Sequence, residues 1–139
     1  MSNRIIRNSV ASLAGLLAGA FLNGLIIRYS HWLIPPPEGT DLRTEAGLKT
    51  GMVLMGPQHF LMPFLAHFLG SLAAAFLATR ISNSLIPALV CGVIFFAGGA
   101  WMVAILPSPL WFNALDLSLA YLPAAWLGYR LGRKKSSGI

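Results

Sequence analysis

Two ionisable side chains, His67 and Asp116, occur in otherwise apolar surroundings in this sequence. Imidazole changes its charge near neutral pH, and a nearby carboxylate stabilises the cationic form. An ionisable side chain inside an apolar helix normally faces the interior of a bundle and pairs with a partner. If the stripes that carry them both face inward, His67 can reach Asp116, and the pair is then a candidate proton or cation site.

Other polar side chains are expected in the same layer. At 1.5 Å per residue from the expected external end of each apolar stretch, Asn23, Asn113 and Asp116 come within about 10 Å of that end. His67 lies farther from the external end than these residues. His59 lies at the external end of its stretch, on the same helical stripe as His67. The competing interpretation makes Asp116 only a structural hydrogen-bond acceptor close to the surface of the membrane. The candidate polar site comprises Asp116, His67, Asn113, Asn23 and His59.

Metal and cofactor chemistry has little support. His59 and His67 are eight residues apart on one helix at different depths, and neither forms the i, i+4 histidine pair of zinc enzymes. Haem held by two histidines would need His31, which is expected in a loop. Cys91 is the only cysteine, so the chain offers no intrachain disulfide and no cysteine metal cluster. We expect no metal and no cofactor.

Catalytic motifs are also missing. The sequence has no Gly-x-Ser-x-Gly, no glycine-rich phosphate loop and no paired carboxylates within one apolar stretch. Packing is the better interpretation of both Ser12 and Ser71. We expect the protein not to be an enzyme.

The composition is typical of a protein that lies in a lipid bilayer. Of 139 residues, 56% are hydrophobic and only 10% are charged, and the mean hydropathy is +0.70; a soluble domain carries about 25% charged residues. Four apolar stretches each have the length of a membrane-spanning helix. They predict an all-α integral membrane four-helix bundle, a single transmembrane domain over residues 1–139. The predicted spans are 10–27, 59–79, 85–106 and 110–131.

The first stretch also has the basic start, apolar core and small triplet Ala18-Gly19-Ala20 of a signal peptide. Its apolar run continues past that triplet to Ile27, which favours a retained span.

Basic residues indicate the orientation, because lysine and arginine beside short loops are retained on the cytoplasmic face. With both termini inside, seven basic residues are cytoplasmic and three are external. This arrangement predicts an N-in/C-in topology. It also explains the net charge of +6 without a nucleic-acid partner, which would need a basic face on a soluble domain. The cytoplasmic set is Arg4, Arg7, Arg80, Arg130, Arg133, Lys134 and Lys135, and the external set is Arg28, Arg43 and Lys49.

The external loop, residues 30–58, contains three consecutive prolines and then a segment where Thr40 or Asp41 could cap a short helix. It is interpreted either as a loop lying on the lipid headgroups or as a lid over the bundle.

Small residues at helical spacing mark the packing faces, because close backbone approach holds helices together in lipid. The first span has Gly15 and Gly19 in a Gly-x-x-x-Gly pattern. Packing within the chain is favoured, and self-association through this face is the alternative.

Several short motifs resemble those of small bacterial membrane proteins with four spans and no known activity. They are the three prolines after the first span, His59-Phe60, Ala66-His67, the segment 106–112 and the segment 121–125. The resemblance implies a bacterial inner (plasma) membrane location and a four-helix architecture.

Two functions remain open from the sequence. The first is a structural or accessory component of a membrane assembly, with the lipid bilayer and a membrane-protein partner or a second copy as neighbours. The second is a small transporter or proton-conducting protein that uses His67 and Asp116.

Overall fold

The computed structural model describes residues 2–134, and all regular secondary structure in this part of the chain is helical. The all-α prediction is confirmed there. Met1 and residues 135–139, including the predicted cytoplasmic Lys135, lie outside the described residues. The helices are α1 (Ser2–Leu33), α2 (Glu45–Met52), α3 (Leu61–Ser82), α4 (Leu85–Ile105), α5 (Leu110–Leu119) and α6 (Leu122–Gly132), and a 3-10 turn (Pro57–Phe60) precedes α3.

Three helical segments are long and apolar enough to cross a membrane: Asn3–Leu33, Pro57–Ser82 and Leu85–Ile105. Large apolar side chains cover much of their surface, as at Leu17 and Phe21 of α1, which are 65% and 69% exposed. Soluble monomers rarely expose contiguous apolar patches of such extent. These surfaces are compatible with a membrane protein.

The predicted fourth span, residues 110–131, is not one continuous helix. It is divided at Ala120–Tyr121 into α5 and α6. Pro123 accounts for the break, because proline has no N–H for the carbonyl four residues earlier and its ring collides with that carbonyl. The carbonyl belongs to Leu119, the residue at which α5 ends.

Small residues bring the helices together around α3, which packs against α1, α4, α5 and α6. Gly15 and Gly19 lie against α3: a Cβ added at Gly15 would come 2.5 Å from the Ala74 carbonyl oxygen. Gly132 on α6 approaches the other side of α3, where an added Cβ would be 2.7 Å from the Phe76 carbonyl oxygen. The glycine face of α1 therefore packs within the chain, which the sequence favoured.

The connections define two ends of the bundle. At the terminal end, α1 begins, α6 ends and Asn83-Ser84 links α3 to α4; at the loop end, α1 ends and α3 begins. Asn83 adopts a left-handed conformation with φ 53°, which asparagine tolerates, so the α3–α4 connection is a tight turn.

The segment between α1 and α3 differs from the sequence expectation at two points. His31, expected in the loop, belongs to the last turn of α1. The loop helix α2 begins later than expected: its cap is Thr44, whose hydroxyl accepts a 3.0 Å hydrogen bond from the Gly47 N–H, so the prediction of Thr40 or Asp41 as the cap was wrong.

The helix α2 carries an exposed ion pair on its surface. The Lys49 ammonium lies 2.7 Å from the Glu45 carboxylate, one helical turn away. This hydrogen bond and the positive charge of Lys49 lower the pKa of Glu45.

Candidate functional site

Asp116, His67 and Tyr121 form one hydrogen-bonded cluster between α3, α5 and the start of α6. The His67 Nδ1 lies 2.9 Å from Asp116 Oδ1 and 3.0 Å from Oδ2. The Tyr121 hydroxyl donates a 2.7 Å hydrogen bond to Asp116 Oδ2 and lies 3.0 Å from the same imidazole nitrogen. The predicted contact between His67 and Asp116 is therefore present, with Tyr121 as a third member.

The cluster fixes the protonation pattern of the imidazole. Carboxylate oxygens only accept hydrogen bonds, so Nδ1 carries the proton that it shares with Asp116. In neutral imidazole the second nitrogen, Nε2, then bears the lone pair. Among the described residues Nε2 has no hydrogen-bond partner, and the His67 side chain is 27% exposed whereas that of Asp116 is 4% exposed. Nε2 is the basic atom of the cluster.

The break between α5 and α6 is what places Tyr121 beside Asp116. Five residues of continuous α-helix rotate by about 500°, which would leave side chains 116 and 121 about 140° apart around the axis. At the break, Tyr121 takes φ −116° and ψ −79°, and its ring stacks on the His67 imidazole with centroids 5.6 Å apart. Gly99 on α4 leaves room for the phenol, since a Cβ there would collide with the hydroxyl.

Sequence reasoning missed the role of Tyr121. The one signal for it was Pro123, because a proline interrupts the helix in the turn that precedes it. Tyr121 stands in that turn.

A cleft of about 310 Å³ opens beside the cluster, between α1, α3 and α4. Asn23, His67, Ser71 and Tyr121 contribute its polar lining, and α4 contributes Phe95, Gly98, Gly99, Trp101 and Met102.

Two buried oxygen atoms on the cleft-lining residues lack protein partners. Within residues 2–134, Asn23 Oδ1 and Ser71 Oγ are buried and make no hydrogen bond. Such atoms are rare in folded proteins, where buried polar groups without a protein partner commonly bind a water molecule or an ion. Ser71, interpreted from the sequence as a packing residue, is therefore also part of the polar lining.

Two of the five predicted site residues lie apart from the cluster. The Asn113 amide donates a 3.3 Å hydrogen bond to the Ser108 carbonyl, at the turn that begins α5. His59 closes the loop: its Nδ1 accepts from the Gly56 N–H at 3.0 Å, and its Nε2 lies 3.0 Å from the Pro35 carbonyl oxygen. Thus His67 and Asp116 meet, Asn23 lines the adjoining cleft, and Asn113 and His59 have structural partners of their own.

The electrostatics of the cluster depend on the histidine. Within the described residues the only ion pairs are the exposed Glu45–Lys49 pair and the contact between His67 and Asp116. No lysine or arginine in this part of the chain compensates the Asp116 carboxylate. A proton added at Nε2 would therefore form an imidazolium in direct contact with the Asp116 carboxylate.

The described side chains do not form a ligand set for a metal ion. Within residues 2–134, no three His, Cys, Asp or Glu side chains come together as a ligand set.

Comparison of the chain with protein-family models, curated proteins and solved structures found no match.

Proposed function

We propose that the protein is an integral protein of the bacterial inner membrane with four spans and both termini in the cytoplasm. The support for the fourth span is the length of α5 and α6 together: α5 has 10 residues and α6 has 11, which at 1.5 Å per residue give about 31 Å of helix, against about 30 Å of hydrocarbon. The resemblance to small four-span bacterial proteins supports the same architecture.

The charge distribution supports this orientation. Arg4 and Arg7 lie in the first turns of α1, and Arg80 lies in the last turn of α3, all at the terminal end. Arg28 and Arg43 belong to the loop end. The excess of basic residues at the terminal end is the pattern of a cytoplasmic face.

We further propose that this protein translocates protons across the membrane through protonation of His67. The observation that carries the proposal is the pairing of His67 Nδ1 with Asp116, which leaves Nε2 without a protein partner beside a cleft. Protonation of Nε2 produces a cation that the buried carboxylate stabilises, and Tyr121 holds that carboxylate in place. An ionisable pair inside a span supports a functional role by default.

The structural or accessory role expected from the sequence depended in part on small-residue faces that a partner could occupy. Gly15 and Gly19 pack on α3, and Gly128 and Gly132 pack on its other side. These faces are filled within the chain, so they no longer argue for a partner. The role itself stays a prediction.

Proton flux into liposomes tests this function. The purified protein would be reconstituted with a pH-sensitive dye inside, and a potassium gradient with valinomycin would drive proton entry. We expect the wild type to exceed empty liposomes, and both Asp116→Asn and His67→Gln to return to their level. The amide introduced by Asp116→Asn would still accept a hydrogen bond from Tyr121 but would carry no charge for the imidazolium.

His59→Gln is the matched control, because His59 binds the loop backbone and is absent from the cluster. It should retain wild-type flux. Wild-type flux in Asp116→Asn, or a wild type no faster than empty liposomes, would contradict the proposal.

A further inference from the structure

A second cavity lies at the loop end, away from the proton cluster. It encloses about 650 Å³ and is lined by Arg28, Tyr29, His31 and Trp32 from the end of α1 and by Arg43 from the loop. We call this cavity the arginine groove. Its lining contains two guanidinium groups and no carboxylate.

Both arginines are available to an anion. Neither Arg28 nor Arg43 has a carboxylate within 4.0 Å among the described residues, and both side chains are exposed. Each guanidinium presents five N–H donors in a planar fork that matches the oxygens of a phosphate group. Two such forks on one cavity form a binding surface for a phosphate.

The aromatic lining indicates where that phosphate comes from. Trp32 is 74% exposed and Tyr29 is 46% exposed, and their rings meet edge to face with centroids 5.3 Å apart. Tryptophan and tyrosine concentrate at the level of the lipid headgroups. The apolar Ile27 and Leu33, 39% and 71% exposed, flank the same helix end. A soluble anion would not need apolar side chains beside its site, whereas a lipid would cover them with its acyl chains.

We propose that the arginine groove binds the phosphate of an anionic phospholipid headgroup. The inference depends on membrane insertion of the chain and not on proton translocation. It fixes a lipid at the end of α1, where α1 extends beyond the hydrocarbon: 32 residues make about 48 Å of helix, against about 30 Å of apolar bilayer core.

Thermal unfolding in detergent micelles tests this site. The purified protein would be titrated with dioctanoyl phosphatidylglycerol, with dioctanoyl phosphatidylcholine and with sodium phosphate, and the midpoint of unfolding would be followed. We expect phosphatidylglycerol to raise the midpoint most. In the groove each arginine would donate charge-assisted hydrogen bonds to the phosphate. Arg28→Gln or Arg43→Gln should therefore raise the half-saturating concentration about tenfold, and the double variant should raise it further.

Arg80→Gln is the matched control, since Arg80 is an exposed arginine at the terminal end of α3. It should leave the titration at most slightly changed. An equal loss in Arg80→Gln and Arg28→Gln would show nonspecific attraction and overturn the site. An equal effect of sodium phosphate and phosphatidylglycerol would overturn the lipid assignment.

The Gln variants should fold, because both arginines are exposed and make no side-chain hydrogen bond among the described residues. Their unfolding midpoints without lipid should match the wild type. The outcome is separable from the proton proposal, because loss of flux in Asp116→Asn would leave the lipid titration unchanged.

Discussion

At the scale of single residues, Asp116 is the group on which the site depends. Its carboxylate is 4% exposed and is met by two donors, the His67 imidazole and the Tyr121 hydroxyl. A buried ion pair gains little net stability, because desolvation offsets the attraction between the charges. Removing one partner is costly, since it leaves the other group buried and unsatisfied.

Tyr121→Phe isolates the contribution of the third member. It removes the hydroxyl that donates to Asp116 and keeps the ring that stacks on His67. A hydrogen bond to a charged group contributes about 1.5–3 kcal/mol, and we expect a loss of that size in the free energy of unfolding. Tyr129→Phe is the control. In the same detergent it should lower the free energy of unfolding much less, because Tyr129 makes no hydrogen bond to a described side chain. Equal losses would show that the Tyr121 hydroxyl does not stabilise the cluster.

The residue scale also shows what the sequence could reveal. His67 and Asp116 were identifiable because ionisable side chains stand out in apolar stretches, and helical spacing allowed each to face the bundle interior. Asn113 and His59 were placed in the same layer by depth alone. Depth does not specify local partners, and nearby backbone carbonyls bind both side chains.

At the scale of helices, the close contact between α1 and α3 depends on glycines. A Cβ at Gly19 would collide with the Gly70 carbonyl, whereas a Cβ at Gly24 would meet no atom within 4 Å. The same helix therefore provides a critical glycine and a dispensable one.

Gly19→Ala should lower the stability of the protein, and Gly24→Ala should not. Overpacking against a backbone carbonyl costs about 1–3 kcal/mol, so Gly19→Ala should lower the free energy of unfolding. Alanine is a better helix former than glycine by about 0.5–1 kcal/mol, so Gly24→Ala should leave stability unchanged or raise it. Unfolding followed by circular dichroism would compare the two. Tolerance of Gly19→Ala equal to that of Gly24→Ala would contradict the interhelical contact.

The helix scale is where prediction from sequence was weakest. Hydropathy averages over about twenty residues, so it gives span 110–131 as one unit and is insensitive to a two-residue interruption. The interruption at Ala120–Tyr121 turns Tyr121 toward Asp116, which the periodicity of a continuous helix excludes. Pro123 carried the information, but membrane helices often contain proline without any functional break, so proline alone did not identify the site.

At the scale of the whole molecule, the proposed topology has four spans, and most of the basic residues lie at the terminal end of the bundle. The apolar exteriors of α1 and α4 match lipid. The glycines that pack inside the bundle are Gly15 and Gly19 of α1, Gly92 and Gly99 of α4, and Gly128 and Gly132 of α6. Four spans imply that both ends of the chain lie on one side of the membrane. The lengths of the single helices do not imply this.

Reporters at the two termini test that count. A reporter that is active only in the cytoplasm, fused before Met1 or after Ile139, should be active in both positions. Three spans, with α5 and α6 on the membrane surface, would place the two termini on opposite sides. Activity at one terminus and its absence at the other would rule out the four-span architecture.

Uptake of a proton by His67 at Nε2, beside Asp116, can be observed by nitrogen-15 NMR of histidine-labelled protein in lipid. His67→Gln identifies the resonances of His67 among the three histidines. We expect the neutral imidazole to carry its proton at Nδ1 and to be bare at Nε2, and added acid to place a second proton at Nε2. A neutral imidazole with its proton on Nε2, or signals that stay unchanged when acid is added, would show that His67 is not the proton acceptor.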